Sequence, residues 1–341
     1  MFLSFIVPVY NAELYIEDCL KSIVGQKSFC DCELICVDDK STDGSCEIIA
    51  EYEKQYPNIH LIHHDTNKKA GGARNTGIKA SKGQYIWFVD SDDTIAEGAL
   101  EKIIVQLKEY DLDVFCFNCS LKYESAEQIC EIFKKAAVNS GYQFLAEQWG
   151  RNIIYYLGYS YIAVIRKSIV TENGISFIEN ITYGEDTTFI TEVIAESSRE
   201  ASTAESFYNY RQGHTSLTSL LETNWMGVQV YESVFAAGNL VVSDLIERHR
   251  NRNAEFSQNI ENGMPWFVNR LFFRLLRCSS KERRIFFKII NYNDESISSV
   301  SRYMNALNRF VVKYQIIAIC SMSVMSILYK SHSALKKITC S

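Results

Sequence analysis

The sequence predicts an α/β fold in which a mainly parallel sheet lies between two layers of helices, followed by a helical C-terminal region. Hydrophobic residues make up 47% of the 341 residues, with only 3 Pro and 16 Gly, so we expect a compact globular protein. Predicted strands and helices alternate over the first 120 residues, as in sheets of parallel strands. Acidic clusters follow two of these strands, where such sheets bind ligands.

Each predicted strand is a short apolar run bounded by turn residues, and each predicted helix has apolar residues at helical spacing. The strands, in chain order, are FLSFIVPVY, CELICVDD, NIHLIHHD, GQYIWFVD and LDVFCFNCS. The helices are AELYIEDCLKSIVGQ, a segment after the turn STDGS, and TIAEGALEKIIVQLKEY from Thr94. The pattern loosens after about residue 121 and becomes helical and aromatic after about residue 216.

Two acidic clusters mark the expected ligand edge of the sheet. The acid pair, Asp38 and Asp39, ends the second strand, and the acid triplet, Asp90, Asp92 and Asp93, ends the strand GQYIWFVD. Like charges this close raise one another's pKa, so a positive partner is expected, and a divalent cation suits carboxylate oxygens. The alternative is an acidic turn that caps the helix beginning at Thr94.

Four segments occur in a fixed order: PVYNAE at 8–13, VDDKSTDGS at 37–45, NKKAGGARNTGIKASKGQYIWFVDSDD at 67–93 and GED at 184–186. Together they closely resemble the inverting, nucleotide-sugar-dependent family 2 glycosyltransferases of the GT-A fold. The resemblance covers roughly residues 1–215, and 73–93 is its most specific part. It implies a GT-A sheet and transfer of a sugar from a nucleotide donor.

The resemblance implies a nucleotide site at the ends of the first strands. The segment 8–13 would frame the base, Asp39 would accept a hydrogen bond from a uracil N–H, and 71–75 would form a loop close to the nucleotide. Without this context, the sequence GGAR is typical of an ordinary helix start. Arg74 and Arg211 supply charges matched to phosphate. The implied nucleotide-binding residues are Pro8, Tyr10, Asn11, Glu13, Asp39, Arg74, Asp90 and Arg211. An Asp in a tight STDG turn is the alternative for Asp39.

The acid triplet matches the family's D-x-D motif. The resemblance implies that Asp92 binds Mn²⁺ or Mg²⁺ directly and that Asp90 lies near the ribose and sugar or joins as a second ligand. The metal would stabilise the charge on the departing diphosphate. Asp93 would cap the next helix or support a ligand, and His214, in NYRQGHTSLT, would bind metal or phosphate.

The GED segment supplies the implied catalytic base. Asp186 would accept the proton of the acceptor hydroxyl, and Glu185 would be the alternate base or a contact to the donor sugar. The alternative is that both acids begin the helix TTFITEVIAES, where negative charge favours the helix dipole. Capping and catalysis are compatible.

The donor expected from Asp39 is a UDP-sugar, and the expected acceptor is a glycan, carried on a lipid if the C-terminal region binds membrane. The pathway expected is synthesis of a cell-surface polysaccharide. The family commonly has a Trp-x-Lys element before GED, whereas here the segment reads GYSYIAVIRKSIV. Sugar and acceptor identity therefore cannot be carried over from the family.

The expected domains are 1–215, with a nucleotide-binding half 1–120 and an acceptor half 121–215, and a basic helical region 216–341. From Leu245 onward the chain has 16 Lys and Arg against 6 Asp and Glu, whereas residues 1–244 have 19 against 35. The amphipathic segment PWFVNRLFFRLLRC favours anionic lipid as the partner, and no nucleic-acid motif accompanies the charge. YQIIAICSMSVMSILY is shorter than the roughly 20 residues that span a membrane.

The expected location is the cytoplasm, with peripheral contact at the inner face of the plasma membrane. The start, MFLSFIVPVYN, lacks the basic region of a signal peptide, and the 11 cysteines, an odd number, favour reduced thiols. Two other functions fit parts of the chain. A sugar-nucleotide pyrophosphorylase would need a Gly-rich loop where PVYNAE stands, and a magnesium-binding, receiver-like regulatory domain would leave GGARN and GED without a role.

Overall fold

The computed structural model describes residues 1–123, 126–133, 138, 159–180 and 185–212. The chain divides into two units, Met1–Thr215 and Ser216–Ser341, and all the described residues belong to the first. His214, Gly184 and the predicted basic helical region 216–341 lie outside the described residues. The domain assignments, including the halves 1–120 and 121–215, stay a prediction.

The described residues form nine strands and six α-helices. The strands are β1 (Leu3–Val9), β2 (Cys32–Asp38), β3 (Ile59–His63), β4 (Tyr85–Phe88), β5 (Thr94–Ile95), β6 (Val114–Lys122), β7 (Glu127–Cys130), β8 (Ala163–Arg166) and β9 (Glu200–Arg211). The helices are α1 (Ile16–Val24), α2 (Ser45–Gln55), α3 (Lys69–Ala80), α4 (Ala99–Tyr110), α5 (Lys167–Glu172) and α6 (Glu185–Glu196).

All nine strands belong to one sheet of order β3-β2-β1-β4-β8-β6-β9-β5, with β7 paired to β6. The first four strands in this order are parallel, as the sequence predicts. Beyond β4 the sheet is mixed, because β8 runs antiparallel to β4 and β6, and β5 runs antiparallel to β9. β2 is buried at every position, as expected for a strand covered on both faces.

The helix predicted from Thr94 begins later, at Ala99. Thr94 and Ile95 instead form β5, whose partners are Asn209 and Tyr208 of β9. The buried Ile95 side chain and this pairing outweigh the local helical pattern. Gly98, with φ of 70°, then separates strand from helix.

The segment 71–75 is part of α3, so the predicted loop at this position is wrong. A Cβ on Gly71 would lie 2.7 Å from the carbonyl oxygen of Ile178, and one on Gly77 would clash with Ile6 Cγ2. The small residues of this segment therefore allow α3 to pack closely against the protein's own backbone and β1. The packing of α3 against Ile178 and Ile6 gives these small residues a structural role, and the predicted approach of this segment to the nucleotide stays a prediction.

Candidate active site

The candidate site lies where the parallel strands end. β4 stops at Phe88, and the acid triplet follows in a turn in which the Asp93 N–H donates to the Asp90 carbonyl at 3.1 Å. Asp90 and Asp92 are half-buried, and Asp93 is buried. The turn therefore presents the first two acids toward the edge of the sheet and directs the third inward.

Arg74 is the central cation of the site. It lies on α3 and is only 3% exposed, and its guanidinium lies 2.8 Å from Asp90 Oδ1, 3.0 Å from Asp186 Oδ1 and 3.4 Å from Glu185 Oε1. Acids from two separate segments thus meet around the Arg74 side chain. The sequence paired Arg74 with phosphate, whereas its contacts here are carboxylates.

Burial changes the proton affinity of these acids. Burial raises the pKa of Asp186 to about 7, with Arg74 opposing the rise and Glu185 and Asp90 adding to it. Burial also raises the pKa of Asp90, again against the charge of Arg74. A carboxylate with a pKa near neutrality can accept a proton from a substrate at neutral pH. Asp186 therefore has the proton affinity that suits a general base.

Asp93 is held by β9 and does not cap the following helix, whose first turn has no side-chain cap. The Tyr208 hydroxyl donates to Asp93 Oδ2 at 2.7 Å and accepts from the Asp90 N–H at 3.0 Å. The Arg211 N–H donates to Asp93 Oδ1 at 2.7 Å. Burial, together with Asp92 and Asp90, raises the pKa of Asp93 well above its usual value. Of the two roles predicted for Asp93, the capping one is wrong, and support of a metal ligand stays a prediction.

Arg211 lies beside the acid triplet, and its predicted contact with the diphosphate stays a prediction. Its Nε donates to the Asp92 carbonyl at 2.9 Å, and its Nη2 lies 3.0 Å from Asp18 Oδ2. The guanidinium also lies 5.1 Å from the centre of the Tyr15 ring. Arg211 is partly exposed, so its charge lies at the rim of the site rather than in the core.

The acid pair, Asp38 and Asp39, is bound by histidine side chains and backbone N–H groups rather than by an arginine. Asp39 Oδ1 lies 2.8 Å from His64 Nδ1 and accepts from the Lys68 N–H at 2.7 Å. His64 Nε2 lies 2.8 Å from Thr76 Oγ1 of α3. Asp38 Oδ1 accepts from the Ser41 N–H at 3.0 Å, so Asp38 rather than Asp39 holds the turn that follows β2. The tight-turn alternative thus applies to the other member of the pair.

The segment after β1 is braced against the loop after β2. Asn11 Oδ1 accepts from the Thr42 N–H at 2.8 Å, and Glu13 Oε2 accepts from the Gly44 N–H at 2.8 Å. Pro8 lies within β1, and the Tyr10 side chain is 54% exposed. The side chains of Asn11 and Glu13 therefore fix the shape of this edge, while the Tyr10 ring is open to a ligand.

Three of the supporting contacts were not predicted from the sequence. Tyr208 lies in the segment YNYR just before the predicted Arg211, His64 directly follows β3, and Asn75 follows Arg74. Asn75 accepts from the Phe177 N–H and donates to the Phe177 carbonyl, both at 2.9 Å, which fixes α3. Their position as polar residues next to buried ones indicates a structural role. The sequence does not show which residues they contact.

The described residues include no helix that is both long and apolar enough to span a membrane. The segment YQIIAICSMSVMSILY, for which the sequence predicts an interfacial or core helix, lies outside them.

Comparison with known proteins gives a family match. Residues 4–169 match the family model described as "Glycosyl transferase family 2". A poly(ribitol-phosphate) beta-glucosyltransferase of Bacillus spizizenii is 33% identical over 275 residues, which cover 76% of this chain and 41% of that protein. The uncharacterized glycosyltransferase EpsJ of Bacillus subtilis is 30% identical over 220 residues, or 64% of this chain and 63% of EpsJ. The chain thus spans less than two thirds of these relatives.

Among solved structures, residues 1–349 of S. aureus TarS in complex with UDP-GlcNAc superpose with a TM-score of 0.73. The likeness covers 96% of this chain and 89% of the TarS chain at 22% identity. At this identity the likeness establishes the fold, and it confirms the α/β fold class predicted from the sequence.

Proposed function

Because the chain belongs to glycosyl transferase family 2 through residues 4–169, we propose that it transfers a sugar from a UDP-sugar to a glycan acceptor with inversion at the anomeric carbon. Membership of this family decides against the pyrophosphorylase and receiver-like alternatives. The observation that carries the proposal is the meeting of Asp90 and Asp186 on Arg74 at the strand ends. This arrangement joins the D-x-D segment to a carboxylate able to act as base.

The base of the nucleotide is assigned to the edge formed by β1 and β2. Tyr10 offers an exposed ring directly after β1, and Asp39 lies buried directly after the neighbouring strand β2, whose Asp38 pairs with Val9. Asp39 supplies a carboxylate acceptor for an imide N–H, which favours uracil. Asn11 and Glu13 shape the edge through the 41–44 loop, and their side chains are assigned to support rather than to direct contact.

The diphosphate is assigned to the acid triplet. Asp92, with Asp90 as second ligand, would hold Mn²⁺ or Mg²⁺, since half-buried carboxylates on a turn are a donor set that suits either cation. When bound, the metal supplies positive charge for the departing diphosphate. Arg211 adds a second positive charge at the rim. His214 remains a proposed additional contact in this region.

Asp186 is assigned as the general base. It accepts the proton of the acceptor hydroxyl while that oxygen attacks the anomeric carbon and the bond to the diphosphate breaks on the opposite face. Arg74 orients the carboxylate, and Glu185, 8% exposed and on the same guanidinium, is assigned to the donor sugar or to support. A single displacement of this kind inverts the anomeric configuration.

The acceptor is assigned to the glycan or polyol-phosphate polymers of the bacterial cell surface. The support is the similarity to the Bacillus spizizenii relative, a poly(ribitol-phosphate) beta-glucosyltransferase. The UDP-GlcNAc held by the TarS neighbour supports a UDP-linked donor. We also propose that the acceptor is linked to a lipid. The basic region 216–341 would then contact the inner face of the plasma membrane peripherally.

The test is transfer from UDP-glucose or UDP-N-acetylglucosamine to a poly(ribitol phosphate) acceptor in the presence of Mn²⁺. The release of UDP measures the reaction, and NMR determines the anomeric configuration of the new linkage. We expect UDP and glycosylated polymer in equal amounts and a β linkage from the α-linked donor. Asp186→Asn is the matched control and should bind donor without transfer. Retention of configuration, or absence of transfer from every UDP-sugar, would overturn the proposal.

A further inference from the structure

A second cluster of ligating side chains lies apart from the acid triplet. The register of β2 and β3 pairs Asp38 with His63, so both side chains project from one face of the sheet, where they meet Cys46 in the first turn of α2. The next residues along each strand, Asp39 and His64, meet each other beside α3. The two strand ends thus carry two different His-Asp contacts.

The three ligating atoms of this cluster are close together. His63 Nδ1 lies 3.3 Å from Asp38 Oδ2 and 3.9 Å from Cys46 Sγ, and the atoms all lie within 4.8 Å of one another. Zinc binds nitrogen and oxygen at about 2.0–2.2 Å and sulfur at about 2.3 Å in a tetrahedron, which places its ligand atoms roughly 3.3–3.8 Å apart. The observed separations are near those of a tetrahedral site.

The carboxylate of this cluster is oriented by a contact outside it. Asp38 Oδ1 accepts from the Ser41 N–H, which turns Oδ2 toward His63. Hydrogen bonds of this type commonly fix metal-binding side chains. The Asp38 side chain is 6% exposed and that of His63 is 59% exposed, so an ion could enter from solvent while one ligand stays fixed.

Acidic neighbours favour a cation at this position. Three carboxylates, those of Asp38, Glu47 and Asp43, lie close enough to Cys46 to act on it electrostatically. Their negative charge attracts a divalent ion to this position. A bound ion would take the thiolate and release its proton to solvent.

The type of ligand selects the metal. Thiolate and imidazole suit zinc and similar borderline-soft ions, whereas the carboxylates of the acid triplet suit Mg²⁺ and Mn²⁺. We propose that Asp38, Cys46 and His63 form a zinc site that links the ends of β2 and β3 to α2. Three protein ligands leave the fourth position to a water molecule.

Such a site would act on the nucleotide edge without touching substrate. Asp38 and His63 directly precede Asp39 and His64, so a metal that fixes the first two residues restricts the backbone of the second two. The ion stabilises this edge and is separate from the ion proposed at Asp92. The site can therefore exist whether or not the proposed transfer reaction does.

The test uses Co²⁺ as a spectroscopic probe for zinc, with the full chain purified metal-free in a non-thiol reductant. We expect a near-ultraviolet thiolate-to-cobalt absorption that saturates at one Co²⁺ per chain and is abolished by added Zn²⁺. Cys46→Ser should remove the absorption. His63→Ala, at an exposed position where folding is not at risk, should weaken Co²⁺ binding on the order of tenfold or more.

Two matched controls separate this site from other cysteines and from the proposed catalytic metal. Cys30→Ser removes an exposed thiol elsewhere, and Asp92→Asn removes the proposed Mn²⁺ ligand, and both should keep the absorption unchanged. Absence of the absorption in the wild type, its persistence in Cys46→Ser, or full-strength binding by His63→Ala would each overturn the proposal.

Discussion

Asp38 at the end of β2 and Asp186 beside Arg74 hold their protons differently. Burial alone would raise the pKa of Asp38, but hydrogen bonds from Ser41 and His63 lower it below its usual value. At the other site burial raises the pKa of Asp186 to about 7 despite the nearby Arg74 charge. Hydrogen-bond donors thus keep one aspartate ionised, and burial among other acids makes another a proton acceptor near neutral pH.

The partners of the two sites also differ in their distance along the chain. The Asp39 carboxylate and the Lys68 N–H that donates to it are 29 residues apart, whereas Arg74 and Glu185 are 111 apart and Asp93 and Arg211 are 118 apart. The acid pair is therefore built within one β-α-β segment. The acids around Arg74 and Tyr208 come together only when β8 and β9 join the sheet.

The largest effect is expected from Asp186→Asn. Loss of a general base lowers rates by about 10² to 10⁴-fold, and the variant should bind donor while failing to transfer. In the wild type, kcat/KM should rise as pH increases through about 7, because Asp186 must lose its proton to act. Initial rates from pH 5 to 9 measure both effects.

Asp186→Asn should also change how the stability of the protein depends on pH. Because the folded-state pKa of Asp186 is raised from 3.8, its stabilising contribution is greatest below 3.8 and is lost as pH rises through about 7. Asp186→Asn cannot ionise, so its melting temperature relative to the wild type should increase between pH 5 and 8. A constant difference would show that Asp186 is ionised throughout.

Arg74→Met should cause the next largest effect. It leaves Asp90, Glu185 and Asp186 without their shared buried cation, and breaking a buried pair in this way costs about 3–5 kcal/mol. Urea denaturation measures the loss. Lys102→Met is the matched control, since its pair with Glu205 is exposed and should contribute at most about 1 kcal/mol. Equal effects of the two substitutions would contradict the central role of Arg74.

Tyr208→Phe should have a smaller effect. It removes one hydroxyl and leaves Asp93 and the Asp90 N–H each short of a partner, which costs about 1–3 kcal/mol. The exposed Tyr123→Phe is the control and should leave the free energy of unfolding unchanged. If Tyr208→Phe behaves like the control, the Tyr208 hydroxyl does not support the acid triplet.

His64→Leu should have the smallest effect on the free energy of unfolding, and its effect should be confined to the surroundings of Asp39. It removes one of the partners of Asp39 Oδ1 but leaves the Lys68 N–H in place, so we expect a loss of about 1 kcal/mol. UDP affinity, measured by calorimetry, should fall while the pH dependence set by Asp186 stays the same. A shifted pH profile would show that the two sites are coupled.

The sequence predicts the parallel strands and the position of both acid clusters, because these depend on local apolar runs and on turn residues. It does not predict that Arg74 binds carboxylates or that Asp93 is held by Tyr208, because those contacts depend on where distant strands pair. The helix predicted from Thr94 failed for the same reason, since pairing with Asn209 and Tyr208 made Thr94 and Ile95 a strand.

The most direct test of the proposed division between metal binding and base catalysis is calorimetric titration of UDP with Mn²⁺ into three proteins: wild type, Asp92→Asn and Asp186→Asn. We expect Asp92→Asn to weaken metal-dependent UDP binding by at least about tenfold, since even residues that only orient metal ligands cause losses of that size. Asp186→Asn should bind UDP with wild-type affinity. Wild-type affinity in Asp92→Asn, or equal losses in both variants, would contradict the account.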